Sequence, residues 1–309
     1  MSKNQLSAIV PTYARPELLR RTLEGFCNQR DLNSLAEIIV VSDGFDDRAA
    51  SIARSFSDRL PINFLDQPKR GVSAARNRGI NSASSPIVLL IDDDVVPGPD
   101  LIGEHLRFHN DKKEESSALL GYVTWHPDLH CSHFMRWYGE YGALFGYSLL
   151  NDNQEVDPRF FYSCNISLKR NFLMAHGVFN EKLTILEDNE LGFRLARQGL
   201  KLFFRRSALA YHYQTFTFKQ ACDRLERYSS GLDAFLATDA GRALAMRRRS
   251  LPFRSTEMVV RTFAPLIRPL SSIIDSNKKL PNSIYRLFYW YYGAYRSFWS
   301  RADRRLLFG

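Results

Sequence analysis

The chain has 309 residues, 45% of them hydrophobic and 24% charged, which supports one large α/β domain or one domain with an appendage. No apolar run approaches the roughly 18 residues of a membrane-spanning helix, and Cys27, Cys131, Cys164 and Cys222 stand apart with no CxxC, as isolated thiols of a reducing compartment would. The net charge of +9 is uneven: Arg242 to Gly309 hold 14 Lys/Arg against three Asp/Glu, a net of +11, while residues 1–241 hold 28 against 30, so any partner of the basic charge belongs to the tail.

Met1-Ser2-Lys3-Asn4-Gln5 leads straight into a strand, so no signal peptide is expected. Leu6 to Val10 reads as that first buried strand. Pro11-Thr12-Tyr13 breaks it, and Arg15-Pro16-Glu17 opens a helix with proline in its first turn. Leu18, Leu19, Thr22, Leu23 and Phe26 recur at helical spacing. Glu37 to Val41 is a second strand ending at Ser42-Asp43-Gly44, Asp47 to Ser57 a second helix, and Pro61 to Leu65 a weaker third strand. In Arg70-Gly71-Val72-Ser73-Ala74-Ala75-Arg76-Asn77-Arg78-Gly79 small residues allow close helix packing, and Arg76 and Asn77 are placed to meet an anion.

Val88-Leu89-Leu90-Ile91 then runs into Asp92-Asp93-Asp94. The apolar run predicts a strand buried on both faces. If its alternation continues, Asp92 and Asp94 leave from one face and Asp93 from the other. Two carboxylates about 6–7 Å apart repel by roughly 2–3 kcal/mol at an effective dielectric near 20. Three in a row call for a compensating cation, such as Mg²⁺ shared with substrate phosphates; a solvated acidic turn is the alternative. Four strand–helix alternations in the first hundred residues predict a mostly parallel, three-layer sheet. Ligands of such sheets sit at the carboxyl ends of the strands, where Thr12, Asp43 and Asp92–Asp94 share one rim.

Further on, Leu101 to Asn110 reads as a helix and Ala118 to Trp125 as a strand. His126, His130, Cys131 and His133 fit no closed zinc pattern and read as loop residues. His133 to Leu150 is rich in Trp, Tyr and Gly and either lines a cleft or packs. Phe160 to Leu168 alternates like a strand, and Asn171 to Ala175 forms a short helix closed by His176-Gly177. Glu187-Asp188-Asn189-Glu190 opens a helix with Leu191 and Leu195 inward and Gly199 as its stop. Acids there serve as simple helix caps or as chemical groups. Leu200 to Tyr211 is a last strand, ending at His212.

Seven segments in order resemble the family-2 inverting glycosyltransferases: Val10-Pro11-Thr12-Tyr13, Val41-Ser42-Asp43-Gly44, Gly71 to Asn77, Leu90 to Asp94, Cys164 to Leu168, Gly177 to Glu181 and Glu187 to Leu191. The resemblance covers roughly residues 5–215. It implies a GT-A fold, α/β and Rossmann-like, over 1–220. Residues 1–100 would be the nucleotide-binding half, 101–220 the acceptor half, and 221–309 a helical, basic extension. It implies that Pro11, Thr12 and Tyr13 line the nucleoside and that Asp43 accepts a hydrogen bond from the base. Arg76 would lie near the nucleotide. Asp92 would sit by the ribose and metal shell, Asp93 in the variable middle of an Asp-x-Asp motif, and Asp94 directly on Mn²⁺ or Mg²⁺. Asp188 matches the general base, and His212 a histidine that completes the metal site in some relatives. Ser42 departs from the family, where a second aspartate is common, and weakens any assignment of the base that is read.

The chemistry fits these residue types. A metal neutralises a leaving diphosphate, one carboxylate deprotonates the acceptor hydroxyl, and a single displacement needs no second nucleophile. The expectation is transfer from a nucleotide-sugar, UDP-sugar before GDP- or dTDP-sugar, to a glycan or lipid-linked acceptor in cell-surface polysaccharide or glycolipid assembly. A sugar-nucleotide pyrophosphorylase would instead carry a Gly-rich, Lys-bearing loop after the first strand. The remaining alternative is a non-catalytic basic scaffold.

In the tail, Leu225, Tyr228, Leu232, Phe235 and Leu236 predict a helix, followed by Arg247-Arg248-Arg249 and prolines at 252, 265 and 269. Ile284 to Trp299 holds nine aromatics in sixteen residues, with Leu287, Trp290, Tyr291, Ala294 and Phe298 on one helical face. It reads as a packed helix or as one lying on an anionic membrane surface through residues 242–309. Either reading gives a cytoplasmic protein, and the second places it peripherally at the inner face of the cell membrane. No nucleic-acid module is visible.

Overall fold

All seven residues of Leu6–Thr12 are buried, and they form β1 at the heart of the sheet. The computed structural model describes residues 5–142, 144–247, 271–276, 280–281 and 283–289. They divide into two units, 1–129 with 150–214, and 130–149 with 215–309.

In the first unit β1 lies between β2 (Leu35–Asp43) and β4 (Ile87–Ile91), and β3 (Ile62–Gln67) flanks β2, all parallel. The crossovers are helices α1 (Pro16–Cys27), α2 (Asp47–Ser55) and α3 (Val72–Ser82). Pro16 opens α1 where its missing N–H costs nothing, and Asp46 caps α2 by accepting from Arg48 N and Ala49 N. Gly71, at φ +98°, makes the turn into α3. A Cβ on Gly79 would stand 2.4 Å from Ile9, so the small residues of α3 do serve close packing on β1. All of β4 is buried, with no alternation because both faces are covered. Each of its side chains contributes roughly 1.5–3 kcal/mol.

Beyond β4 the sheet becomes mixed. With β5 (Val95–Pro97), β6 (Ser117–Trp125), β7 (Glu155–Val156), β8 (Asn165–Lys169) and β9 (Lys201–His212), its order is β3-β2-β1-β4-β8-β6-β9-β5, and β7 also pairs with β9. β8 runs antiparallel to β4 and to β6. β9 is parallel to β6, and β5 antiparallel to β9. By these directions the carboxyl ends of β1, β2, β4 and β9 and the amino end of β8 reach one rim. α4 (Leu101–Asp111), α6 (Arg170–His176) and α7 (Glu187–Ala196) complete the unit. Gly177 and Gly199, both at positive φ, end their segments as expected.

The alternating run 160–168 is a strand only from Asn165. Pro158–Phe160 is a 3₁₀ turn capped by Asp157, and the Ser163 N–H bonds a carboxylate instead of a neighbouring strand. The short strands β5 and β7 carry no periodic signal in the sequence.

The second unit joins α5 (His133–Arg136), continued by a π-helical turn Trp137–Tyr141, with α8 (Phe218–Leu236), α9 (Asp239–Arg247), a short helix Ser271–Ser276 and a helical stretch at 283–289. Thr217 and Gln220 form a capping box at α8. Phe134 meets Phe218 and Tyr285, with ring centroids 5.6 and 5.5 Å apart, and Trp137 meets Tyr289 at 5.8 Å. Phe134, Trp137 and Tyr138 of the aromatic run therefore pack within this unit, while Tyr141 and Leu149 are exposed, and 130–149 joins it although the sequence set it apart from 221–309. In the 284–299 run the buried positions described are Tyr285 and Tyr289, while Leu287 is exposed. Arg248, Arg249, Pro252, Pro265, Pro269 and 290–299 lie outside the described residues.

Candidate active site

The acid run begins where β4 stops. Val95 N donates to Asp92 O, so Asp92–Asp94 is a turn and strand alternation no longer applies. Asp93 and Asp94 consequently share one cation instead of pointing apart: Arg15 pairs with Asp93, and its Nη1 lies 2.9 Å from Asp94 Oδ2. Asp93 is fully buried and accepts from Thr12 Oγ1 at 2.7 Å. It acts through Thr12 and Arg15 and has no surface for a ligand. Burial, reinforced by the charges of Asp94 and Asp92 and opposed by Arg15 and Thr12, pushes its carboxyl up to about 7.

Arg15 reaches this turn because Ala14 holds φ +51°. A left-handed alanine costs about 1 kcal/mol, a strain that persists where surrounding structure fixes it. Ala14 is exposed, and asparagine adopts this conformation more readily. Ala14→Asn should therefore raise the melting temperature by roughly 1–3 °C in calorimetry, and Ala14→Val should lower it.

The compensating charges are thus arginines of the chain itself. Arg76, buried on α3, gives Nη2 to Asp92 Oδ1 at 2.9 Å and Nη1 to Glu187 Oε1 at 3.1 Å, and lies 3.6 Å from Asp188 Oδ1. The anions it meets are these three carboxylates. Burial opposes the Arg76 charge, but their combined pull outweighs it and holds the guanidinium protonated. Removing it would leave three carboxylates uncompensated, a loss of about 3–5 kcal/mol. Asn77 ties α3 to the segment between α6 and α7 by donating to Phe179 O and accepting from Phe179 N, both at 2.9 Å.

Asp188 stands in the first turn of α7, whose start has no side-chain cap and follows Leu186 at φ +56°. Its carboxylate accepts from Ser163 N at 3.1 Å and Ser163 Oγ at 2.7 Å. Burial pushes this carboxyl up to about 7, helped by Glu187 and opposed by Arg76 and Ser163.

Asp43 ends β2 and accepts from Gln67 Nε2, Arg70 N and Gly71 N at 2.8–2.9 Å. It organises the turn into α3, with three donors already on its oxygens. Pro11 pairs opposite Val41 in β1. Tyr13 is 47% exposed, and Lys69 Nζ donates to its hydroxyl at 2.8 Å and stands 4.1 Å from its ring centre. Next to Asp43, this open ring can stack a planar base.

His212 ends β9 opposite Val95, one residue from the acid turn, and Tyr213 N donates to Asp94 O at 2.7 Å. The His212 ring meets Trp125 edge-on at 5.5 Å. Among the described residues no three His, Cys, Asp or Glu side chains are grouped to hold an ion by themselves. Around the turn and α7, however, five carboxylates (Asp92, Asp93, Asp94, Glu187, Asp188) face two guanidiniums, Arg15 and Arg76. A diphosphate entering that excess of negative charge needs a hard cation, and a Mg²⁺-like ion takes one or two carboxylates with phosphate oxygens. Asp92 and Asp94 fit that donor set.

Sequence reasoning missed Arg15 and Ser163 as site residues. An arginine directly after a strand end on the rim of an acid run was the available signal for the first; nothing local marks the second.

A family model described as glycosyl transferase family 2 matches residues 7–175. Chondroitin synthase of Escherichia coli is 28% identical over 247 residues, covering 68% of this chain and 34% of that protein. Validoxylamine A glucosyltransferase of Streptomyces hygroscopicus subsp. limoneus is 30% identical over 228 residues, 66% of this chain and 50% of the relative. The chain thus spans half or less of the length of these relatives. A solved mannosyltransferase from Pyrobaculum calidifontis, in complex with GDP-Man and Mn²⁺, superposes with a TM-score of 0.61 at 16% identity, over 96% of this chain and 88% of that one; the likeness is one of GT-A fold.

Proposed function

Because the chain belongs to glycosyl transferase family 2, we propose that it moves a sugar, with inversion, from a nucleotide-sugar to a hydroxyl of a glycan or lipid-linked acceptor. One observation carries the mechanism: a single buried guanidinium, Arg76, spans from Asp92 of the acid turn to Asp188 of α7. A donor phosphate at the turn and an acceptor hydroxyl at Asp188 would then lie within one side chain's reach.

The nucleoside rests on Tyr13, with Pro11 and Thr12 shaping the strand end and Asp43 holding the adjoining turn. Asp94 and Asp92, with His212 beside them, would hold Mn²⁺ or Mg²⁺, and an ion bound there would neutralise the leaving diphosphate. Asp188 takes the acceptor proton. As that O–H bond breaks, a new C–O bond forms at the anomeric carbon, and the bond to the diphosphate breaks with its electron pair on the phosphate oxygen. No second nucleophile is needed, which supports inversion. The mannosyltransferase solved with GDP-Man and Mn²⁺ supports the metal and donor class. Chondroitin synthase among the relatives supports a polysaccharide acceptor. Among the described residues no helix is long and apolar enough to cross a membrane; the basic tail is proposed to meet anionic lipid at the surface.

The test is thermal stabilisation of the full chain by UDP-glucose, UDP-GlcNAc and GDP-mannose, each with Mn²⁺. Saturation at about 100 times Kd adds roughly 2.7 kcal/mol, a shift of several degrees. At least one donor should stabilise and EDTA should reverse the shift. No shift and no Mn²⁺-dependent donor hydrolysis with any of the three would refute the proposal.

A further inference from the structure

Asp188 is not held by its own helix. Both of its oxygens are engaged by one residue 25 positions earlier, Ser163, which gives its N–H to Oδ2 and its hydroxyl to Oδ1. The Asp188 side chain is still 24% exposed, so the carboxylate is gripped and open at once. We infer that Ser163 is the positioning residue of Asp188: its paired donors fix the carboxylate in one orientation, leaving an oxygen lone pair open to an acceptor hydroxyl. This deepens the reading of Asp188 as the base and rests on it.

The grip is built from the fold upward. Ser163 is fully buried and stands two residues before β8, whose first residue, Asn165, is locked from three sides. Asn165 Nδ2 donates to Ala208 O at 2.9 Å and to Tyr122 O at 3.3 Å, which turns Oδ1 toward His105 Nε2 at 2.9 Å. His105 must therefore donate from Nε2 and accept at Nδ1 from the Ser167 hydroxyl, 2.7 Å away. Ser167 Oγ in turn accepts from His109 Nε2 at 2.8 Å. Burial lowers His105 to about 4 and His109 well below its ordinary value, so this network stays neutral and keeps one arrangement near neutral pH.

Two close approaches fix the segment from outside. A Cβ on Gly121 would fall 2.2 Å from Asn165 Nδ2, and one on Gly192 of α7 would fall 2.5 Å from Phe161 Cβ. Helix α7 therefore seats directly on the segment that carries Ser163. The charged or titratable groups facing Asp188 are Arg76 from α3, Glu187 on its own helix and Cys164 beside Ser163. Neither Arg76 nor Glu187 engages both Asp188 oxygens.

The test is a carboxyl ¹³C NMR titration of the full-length chain labelled at aspartate, with Asp188→Asn identifying the Asp188 resonance. Loss of a donor to the ionised form should raise the Asp188 midpoint in Ser163→Ala by about one pH unit, roughly tenfold in the ionisation constant. Ser163→Cys, similar in size but a weak donor, should fall between wild type and alanine, and carries the test if the alanine variant does not fold. A wild-type midpoint in the variants overturns the inference, and with Asp188→Asn inactive it leaves the base itself standing. Wild-type donor turnover in Asp188→Asn overturns the base reading, and the inference with it, whatever the midpoint does.

Discussion

Asp188→Asn is expected to slow transfer by roughly 10²–10⁴-fold, the usual range for a general base, while donor affinity by calorimetry stays close to wild type. Asparagine keeps the size of the side chain and can still accept from Ser163, but it cannot take a proton. Simple capping predicts the opposite, because Asn and Asp cap helices comparably, and the Asp188 carboxylate is bound by Ser163 instead of by its helix. Glu187→Gln is the control. It weakens one partner of Arg76 and should be milder. With the Asp188 carboxyl raised to about 7, the wild-type rate should climb with pH through neutrality, since the base must be ionised to work. Stability runs the other way. A folded-state value above that of the unfolded chain means a contribution fully present below about 4, and lost as pH rises through about 7. Asp188→Asn should therefore gain stability relative to wild type as pH rises across that window. A near-wild-type rate would move suspicion to Glu187 or Glu190; a matching loss of donor affinity would put Asp188 in the donor site.

Asp94→Asn should reduce transfer by roughly 10²-fold or more, the scale seen when one preorganised group stabilising transition-state charge is lost. It should also weaken Mn²⁺-dependent binding of the donors. The fold should survive, because asparagine can still accept from Arg15, and Arg15 keeps its pair with Asp93. The unliganded variant should be as stable as wild type or slightly more so, since a like charge beside buried Asp93 is gone. Stability held or gained while activity falls is the mark of a residue kept for chemistry. Unchanged turnover and unchanged Mn²⁺ dependence would remove Asp94 from the metal site.

The strands of the parallel half were legible because each is a short apolar run closed by a polar or breaking residue: Val10 by Pro11, Val41 by Ser42-Asp43, Ile91 by the acids. That also placed Thr12, Asp43 and Asp92–Asp94 on one rim. What the sequence could not reveal was pairing over distance. Arg15 meets Asp94 across 79 residues, and Arg76 meets Glu187 across 111. The acid run did demand positive charge, but nothing local showed that arginines would answer it before any metal. The 160–168 run misled for a related reason: alternation reports which side chains are buried, and cannot show that the Ser163 N–H is taken by Asp188.

The second unit is assembled from two distant stretches of chain, and that limits how this protein can be trimmed. A chain stopped after residue 214 would strip Phe134 and Trp137 of Phe218, Tyr285 and Tyr289, turning a packed aromatic cluster into sticky, water-facing surface. Isolating the sheet-bearing unit therefore calls for two cuts. The 130–149 excursion would have to be replaced by a short polar linker from Leu129 to Leu150 at the same time as the C-terminal stretch is removed.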